Sequence, residues 1–373
     1  MNKLKIKSGR YQWIKCVVAI VVASCMVLSF SACKKELDFE VVKDRYSITG
    51  GYTYHYVGKA TEVTIPQTCA GYTIRILTGI FDEDSPVEKV TVPATVEQTS
   101  GSFSNMKKLE EVVFEEDSKL RILGEYTFFR CSSLKRIIIP DGVETIKGHA
   151  FDQCTSLEEI VIPDSVTLIE ENAFYGCTSL KSVIGGKNVT QIKQRAFANC
   201  TSLTHADVLK TATSFGQRAF TYCTALQEVE VGATKSVSDG MFEHCTSLRK
   251  VMLGDTVKNV EDCAFLGCEN LQSVDGGQKL TKIGSYAFDS CGKLQSISLP
   301  EGLTEIEDLA FRWCDDLQSI VIPLSCEKMG GYVFANCTSL TVYVRATESA
   351  VNGNENWDKD WAYNRIVQYE YVD

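Results

Sequence analysis

Histidine is scarce in this chain of 373 residues, and the few histidines are scattered. The four are His55, His149, His205 and His244, and none lies in a His-Glu-x-x-His, Gly-x-Ser-x-Gly or phosphate-loop pattern. The cysteines also lack paired partners at the spacing of a zinc site. We therefore predict a protein that is not an enzyme and that uses no cofactor or metal ion.

Long hydrophobic runs are missing as well. Residues 16–30 form an apolar run of about 15 residues, which is shorter than the roughly 20 that a spanning helix needs. Five basic residues and no acidic residue accompany it in residues 1–32, which predicts a signal peptide. The segment ends in a sequence that resembles a lipobox, Leu28-Ser29-Phe30-Ser31-Ala32-Cys33. We predict lipidation of Cys33 and membrane attachment through this N-terminal lipid only; the alternative is ordinary cleavage that leaves Cys33 as a free thiol.

The chain has no excess of positive charge. Its formal net charge is -10, and removal of residues 1–32 with their five positive charges changes it to -15. An acidic surface disfavours nucleic acid as a partner, and it disfavours attraction to anionic lipid. We therefore predict no nucleic-acid binding.

What the chain does contain is one phrase that recurs from about residue 80 onward. Its fixed points are a Phe, a Cys three residues later and a Leu three residues after that, as in Phe151, Cys154 and Leu157. A period in the twenties is typical of a solenoid. The steps are 23 residues, apart from one of 22 between Phe220 and Phe242, and the anchors are Phe128, Phe151, Phe174, Phe197, Phe220, Phe242, Phe265, Phe288, Phe311 and Phe334.

Each copy predicts the same local structure. The three-residue step favours a short helical or 3₁₀ segment with one buried stripe. The spacing of two between Ile160 and Ile162 indicates a short strand with one buried face, and Pro163 ends it. Val166 and Ile169 then lead the chain back to the next copy. Because one copy alone cannot bury enough apolar surface to offset the conformational entropy lost on folding, we expect the copies to stack.

The phrase Ala-Phe-x-x-Cys-x-x-Leu-x-x-Ile-x-Ile-Pro resembles the signature of the BspA-like class of bacterial leucine-rich repeats over roughly residues 80–344. The predicted fold is therefore a repeat solenoid of the leucine-rich repeat type. It would be α/β and horseshoe-like, with a short strand and a short helical or 3₁₀ turn in each coil of about 23 residues. Gly185-Gly186, Gly276-Gly277 and the shortened stretch 234–239 depart from the phrase, and we expect bulges or kinks there.

The domain organisation follows from these patterns. Residues 41–80 alternate β-branched and aromatic residues with glycine, which favours hairpins that cover the first coil. Residues after Leu340 leave the period. The predicted segments are a lipoprotein signal peptide (1–32), a lipid-anchored charged leader (33–40), a β-rich N-terminal cap (41–80), a solenoid of about 11–12 coils (81–340) and a C-terminal cap (341–373).

The resemblance implies an exported outer-membrane lipoprotein, exposed at the cell surface, that adheres to a macromolecule. The implied partner is a host or bacterial surface protein. The residues by themselves indicate only a rigid, acidic repeat array with side chains that point outward. A glycan-binding lipoprotein in nutrient capture and a structural envelope protein are the alternatives.

Ten of the sixteen cysteines occupy one repeat position. Equivalent positions in stacked coils have parallel Cβ vectors, which disfavours disulfides between them. Free cysteine is among the most buried residue types and packs as a small hydrophobe. We therefore predict a ladder of buried thiols.

A candidate binding face consists of the residues that point outward between the two buried residues of each strand. This row is apolar at its N-terminal end and acidic in its middle, and an exposed apolar patch often marks a partner site. The strand preference of Val and Ile explains the apolar end equally well. The row is Ile138, Val161, Ile184, Asp207, Glu230, Met252, Asp275, Ser298 and Val321.

Aromatic residues that follow the anchor Phe form a second candidate set, because exposed aromatics are common at protein and sugar contacts. They lie on the helical side of the coil, away from the strand row, and packing between coils is the alternative explanation. The four are Phe129, Tyr175, Tyr222 and Trp313.

Overall fold

The computed structural model describes residues 39–43, 52–69 and 71–372. Over these residues the chain forms a parallel β-solenoid of about 13 coils, which confirms the predicted repeat fold. The predicted signal peptide, Cys33 and nearly all of the charged leader lie outside the described residues. In the part of the chain that the structure describes, no helix has the length and apolar character needed to cross a bilayer.

The described residues contain thirty strands and two short helices, α1 (Val208–Thr211) and α2 (Glu348–Asn352). In chain order the strands are β1 (Phe39–Lys43), β2 (Tyr52–Tyr56), β3 (Glu62–Thr64), β4 (Thr68–Cys69), β5 (Tyr72–Thr73), β6 (Ile76–Thr78), β7 (Lys89–Val92), β8 (Gln98–Ser100), β9 (Glu111–Phe114), β10 (Ile122–Leu123), β11 (Arg136–Ile137), β12 (Thr145–Ile146), β13 (Glu159–Ile162), β14 (Leu168–Ile169), β15 (Ser182–Gly185), β16 (Gln191–Ile192), β17 (His205–Ala206), β18 (Ser214–Phe215), β19 (Glu228–Val231), β20 (Ser236–Val237), β21 (Lys250–Leu253), β22 (Asn259–Val260), β23 (Ser273–Gly276), β24 (Lys282–Ile283), β25 (Ser296–Ile297), β26 (Glu305–Ile306), β27 (Ser319–Ile322), β28 (Lys328–Met329), β29 (Thr341–Val344) and β30 (Ile366–Gln368).

Two rows of parallel strands run along the solenoid. We call the first the long-strand face; it contains β3, β7, the odd-numbered strands from β9 to β29, and β30. The second is the short-strand face, which contains the even-numbered strands from β6 to β28. Equivalent residues pair in register, as Ile160 does with Val183 and Ile146 with Ile169. Among the described residues, β1 with β2 and β4 with β5 form the antiparallel pairs.

The third side of each coil holds the anchor Phe, and here the predicted helical or 3₁₀ segment does not form. The chain makes successive turns instead, such as the bond from the Cys154 N–H to the Phe151 carbonyl at 3.0 Å. The residues two before and two after the anchor, His149 and Gln153, have φ of 57° and 59°. A helix cannot pass through such left-handed residues. The anchor N–H groups therefore donate to the neighbouring coil, as Phe151 does to Ala173 at 2.7 Å.

The core is a continuous stack of aromatic rings. The Phe151 and Phe174 rings, for example, lie 5.0 Å apart between centroids with an angle of 6° between their planes. All ten predicted anchors are fully buried. At the N-terminal end the stack continues through Phe103, Phe81, Tyr56 and Phe39. Stacking of neighbouring coils thus buries the apolar surface that one coil could not bury alone.

The glycine pairs replace proline at a strand end without breaking the long-strand face. Gly276 has φ of 84°, and a Cβ there would lie 2.0 Å from the Leu253 carbonyl oxygen. Gly276 nevertheless pairs in register with Leu253. At the third expected place, the shortened stretch 234–239, the short-strand face is interrupted, because β18 and β20 do not pair.

The segment after Val344 forms one more coil, although it leaves the sequence period. Trp357 makes a parallel bridge with Met329 at the end of the short-strand face. Trp361 packs edge-on against Phe334, with 6.2 Å between ring centroids, in the place of the next anchor. Strand β30 then pairs with β29. An insertion that contains α2 lengthens this coil and hides it from a periodicity search.

Candidate functional site

The N-terminal half of the long-strand face carries a row of exposed aliphatic side chains, which we call the aliphatic row. Ile138, Val161 and Ile184 are 82%, 48% and 37% exposed. They lie opposite one another in register, through the Ile138–Val161 bridge and the Val161–Ile184 pair. Val113 in the preceding coil is 37% exposed and extends the row. The sequence analysis missed Val113 because its coil lacks the regular phrase.

A row of polar and charged residues borders the aliphatic row two positions earlier on each strand. Lys89 and Glu111 form an ion pair in it, with 2.7 Å between Nζ and Oε2. Arg136 pairs in register with Glu111, and Glu159 accepts a hydrogen bond from the Ser182 hydroxyl at 3.1 Å. An apolar strip with a charged border is the general arrangement of a protein interface, in which an apolar centre is surrounded by a polar rim.

Asp207 does not continue this row as a strand residue. Strand β17 ends at Ala206, and α1 starts directly after Asp207. The Asp207 carboxylate accepts the Gly185 N–H at 3.0 Å and contacts the His205 ring at 2.9 Å. The bond from Gly185 lowers the pKa of Asp207, with a further contribution from His205. Asp207 therefore closes the turn before α1 and separates the two halves of the face.

The C-terminal half of the face is polar. Glu230, Met252 and Asp275 lie in register, but both carboxylates are paired with lysines. Glu230 lies 3.3 Å from the Lys210 ammonium, and Asp275 lies 3.2 Å from that of Lys250. Ser298 is exposed directly after β25. Val321 is partly buried and pairs with Tyr343. The acidic middle predicted from sequence is thus largely neutralised by neighbours.

The four aromatic candidates occupy two different positions, so they do not form one row. Phe129 and Tyr175 immediately follow their anchors and are partly buried. Tyr222 and Trp313 come two residues after theirs, with φ of 58° and 62°, and are 43% and 47% exposed. The difference of one residue changes the direction of the side chain, because the second position is left-handed.

Tyrosine and histidine rings stack between coils on the anchor side, and the sequence analysis missed this pairing. The Tyr126 and His149 rings lie 4.8 Å apart with an interplanar angle of 8°. Tyr222 and His244 are also 4.8 Å apart. Within each pair the two rings share one offset, two residues before the anchor for Tyr126 and His149 and two residues after it for Tyr222 and His244. This shared offset is the signal that could have predicted the pairs. His149 also bonds to Asp152, with 2.7 Å between Nδ1 and Oδ2.

The predicted ladder of buried thiols is confirmed by burial. All ten repeat cysteines are fully buried and free, and each donates its S–H to the carbonyl of the anchor Phe of the preceding coil at 2.9–3.3 Å. Burial raises the pKa of the nine thiols from Cys131 to Cys314. Because the thiolate is the reactive form, these side chains are inert packing groups.

The described residues hold no group of three or more His, Cys, Asp or Glu side chains that could bind a metal ion. His205 contacts Asp207, and His55 contacts Asp82 at 3.2 Å. These contacts join one histidine to one carboxylate each.

Parallel pairing of equivalent residues in successive coils defines a β-solenoid. The model of the BspA type leucine rich repeat region matches residues 47–167, 146–234 and 235–351, and the chain belongs to this family. A leucine-rich repeat protein from Bacteroides ovatus is 24% identical, with 88% of this chain and 98% of that chain covered and a TM-score of 0.51. The pneumococcal vaccine antigen PcpA is 14% identical, with 89% and 99% covered and a TM-score of 0.50. A comparison with curated proteins finds no match.

Proposed function

We propose that this chain is a non-enzymatic cell-surface protein that recognises a protein partner through the aliphatic row. The observation that carries the proposal is the in-register series Val113, Ile138, Val161 and Ile184, with Ile138 82% exposed. Contiguous exposed aliphatic residues are unfavourable in water, and on soluble proteins they often mark partner sites.

Three features favour a protein partner for this row. The strip is apolar and has a charged border, which suits a partner surface with an apolar centre. Its strands pair in register with neighbouring strands, and the Ile138–Val161 bridge joins the two sheets that carry the row, so its shape is fixed before binding and little ordering entropy is lost. Among the described residues of this face, no exposed aromatic ring on which a sugar could stack lies beside the row. PcpA is described as a vaccine antigen, which is consistent with surface display in a protein of similar fold.

The test is binding of the purified chain to an array of host extracellular-matrix proteins and bacterial surface proteins. The variant Ile138→Glu/Val161→Glu/Ile184→Glu places three charges on the aliphatic row. A control variant, Ile76→Glu/Leu324→Glu/Ile366→Glu, changes three exposed aliphatic residues outside the row. We expect binding to survive in the control and to weaken by about tenfold or more in the first variant. Equal binding by both variants would rule out this row.

We also propose that the chain is an outer-membrane lipoprotein anchored at Cys33, with the solenoid exposed outside the cell. The basic and apolar residues of 1–32 and the lipobox-like sequence support this. In the native bacterium, we expect Cys33→Ser to abolish incorporation of labelled palmitate and to release the protein from membranes. Protease added to intact cells should degrade the solenoid. Protection from protease with intact lipidation would indicate the periplasmic leaflet instead.

A further inference from the structure

Strand pairing on the short-strand face is interrupted at the 22-residue coil. This interruption lies outside the aliphatic row and has no part in the proposed function. Strand β18 pairs with β16, and β20 pairs with β22, but β18 and β20 are not joined. In the regular pattern the residue after a short strand donates its N–H to the preceding coil, as Gly216 does to Ile192 at 2.7 Å. Among the described residues, the carbonyls of Thr213 and Phe215 accept no backbone N–H from the next coil.

A cleft of about 840 Å³ opens at this break. Its size lies within the range of sites that bind small organic ligands. It extends from Ser214 and Phe215 across β20 to Glu261 on the next coil. The cleft lies at the step of 22 residues between Phe220 and Phe242.

The lining exposes polar and apolar surface in similar amounts, and its polar groups include both donors and acceptors. Gln217 donates from its amide to Asp239 at 3.3 Å, and the Ser238 hydroxyl donates to the Gly216 carbonyl at 3.0 Å. Lys235, directly before β20, and Glu261, on the next coil, also line the cleft. A ligand that binds here must replace hydrogen bonds to water on several sides, which a hydroxyl-rich molecule can do.

The spacing of the strands excludes insertion of an extended peptide between them. Cα atoms of β18 and β20 still approach within 8 Å. An inserted strand would need about 9.5 Å between its two neighbours, since paired strands lie about 4.8 Å apart. A protein partner that docked on the surface would be expected to bury an apolar centre, whereas the polar side chains of Gln217, Ser238 and Asp239 line this cleft.

We propose that this cleft binds an oligosaccharide. Sugar hydroxyls donate to the Asp239 and Glu261 carboxylates and to the open Phe215 carbonyl, and they accept from Gln217 and Lys235. The site lies on the short-strand face, so it is separate from the aliphatic row and does not depend on the proposed protein recognition. One chain would then present two different recognition sites on two sides of the same solenoid.

The test is calorimetric titration of the purified full-length chain with four probes: cellohexaose, maltohexaose, xylohexaose and mannohexaose. The variant Ser214→Trp fills the cleft from an exposed position on β18. The matched control Thr145→Trp places the same ring at the equivalent outward position of β12, three coils away. We expect the wild type and the control to bind at least one probe equally, and Ser214→Trp to bind it about tenfold or more weakly.

A second variant distinguishes loss of the binding site from misfolding of the chain. Asp239→Asn keeps the size of the side chain and removes its charge. We expect its dissociation constant for the sugar to be several-fold larger and its urea midpoint to be unchanged. Absence of binding to all four hexaoses would overturn the proposal, as would equal binding by Ser214→Trp and Thr145→Trp. The chain could instead bind a protein from the array and no hexaose, and Ser214→Trp could abolish that protein binding. This result would assign the cleft to a protein partner and would also overturn the proposal.

Discussion

The thiol of Cys200 donates a hydrogen bond to the backbone carbonyl of Phe174 in the preceding coil, with 3.2 Å between Sγ and O. The same carbonyl accepts the N–H of Cys177 at 3.3 Å. From Phe128 to Phe288, each buried anchor carbonyl has one such donor from its own coil and one from the next. A repeated cysteine thus connects neighbouring coils without forming a covalent bond.

We expect Cys200→Ala to lower the free energy of unfolding by about 1–2 kcal/mol, since it removes both the sulfur volume and the S–H donor. Cys200→Ser is the matched comparison, because it shortens the side chain but keeps a donor for Phe174. Urea denaturation followed by circular dichroism measures both. A smaller loss for Ser than for Ala would show that the hydrogen bond contributes; equal losses would assign the effect to volume alone.

The protein should lose stability at alkaline pH. Burial raises the pKa of the ladder thiols, while in the unfolded chain a thiol titrates near pH 8.5. Above that pH the unfolded chain binds fewer protons than the folded chain, so the free energy of unfolding falls as pH rises. Each buried thiol contributes at most about 1.4 kcal/mol per pH unit, and the effect is absent below about pH 8.

The measurement is the urea midpoint between pH 7 and pH 10. Lysine and tyrosine groups also titrate at high pH, so the wild type is compared with Cys200→Ala, which lacks one buried thiol. We expect the wild type to lose stability more steeply than the variant. Parallel curves for the two proteins would contradict a contribution from the thiol ladder.

Gly276→Ala should destabilise the fold by about 2 kcal/mol or more, because φ of 84° is unfavourable for alanine and the added Cβ would meet the Leu253 carbonyl oxygen at 2.0 Å. Gly292→Ala is the control. It has no left-handed φ, and its nearest neighbour would be the Trp313 carbonyl oxygen at 3.9 Å. Thermal denaturation should show a lower midpoint for the first variant alone; similar midpoints would show that the turn can relax.

The Asp289 carboxylate is 2% exposed and binds the Arg312 guanidinium through two hydrogen bonds. Arg312→Met leaves this buried charge without its partner, and we expect a loss of about 3 kcal/mol. The double variant Asp289→Leu/Arg312→Met removes both charges and should recover most of the stability. If the double variant were no more stable than the single one, packing would matter more than charge. Chemical denaturation distinguishes the two results.

Residue spacing was sufficient to predict the framework of the fold. The Phe period predicted the stack that contains Phe151 and Phe174, and the spacing of two predicted the strand that contains Ile160 and Ile162. These features repeat in phase, and each copy imposes the same burial on its neighbours. The position of Ile138 on the outer surface followed from the same alternation.

Other features depend on relations that spacing does not reveal. The left-handed residues His149 and Gln153 allow the anchor segment to bond to the next coil, and a three-residue step does not distinguish this from a helix. Trp361 replaces an anchor after an irregular insertion. The cleft at β18 results from one missing residue, whose effect on pairing depends on how far the neighbouring coils can relax.

The backbone hydrogen bonds between coils, such as that from Phe151 to Ala173, have a mechanical consequence. They join neighbouring coils along the length of the array, so a pull between its two ends loads the coils in series. Terminal coils have a neighbour on one side and should detach first, one at a time. Each release would add about 75–80 Å of extended chain. If such an array tethered a cell, the array would lengthen in steps under shear flow.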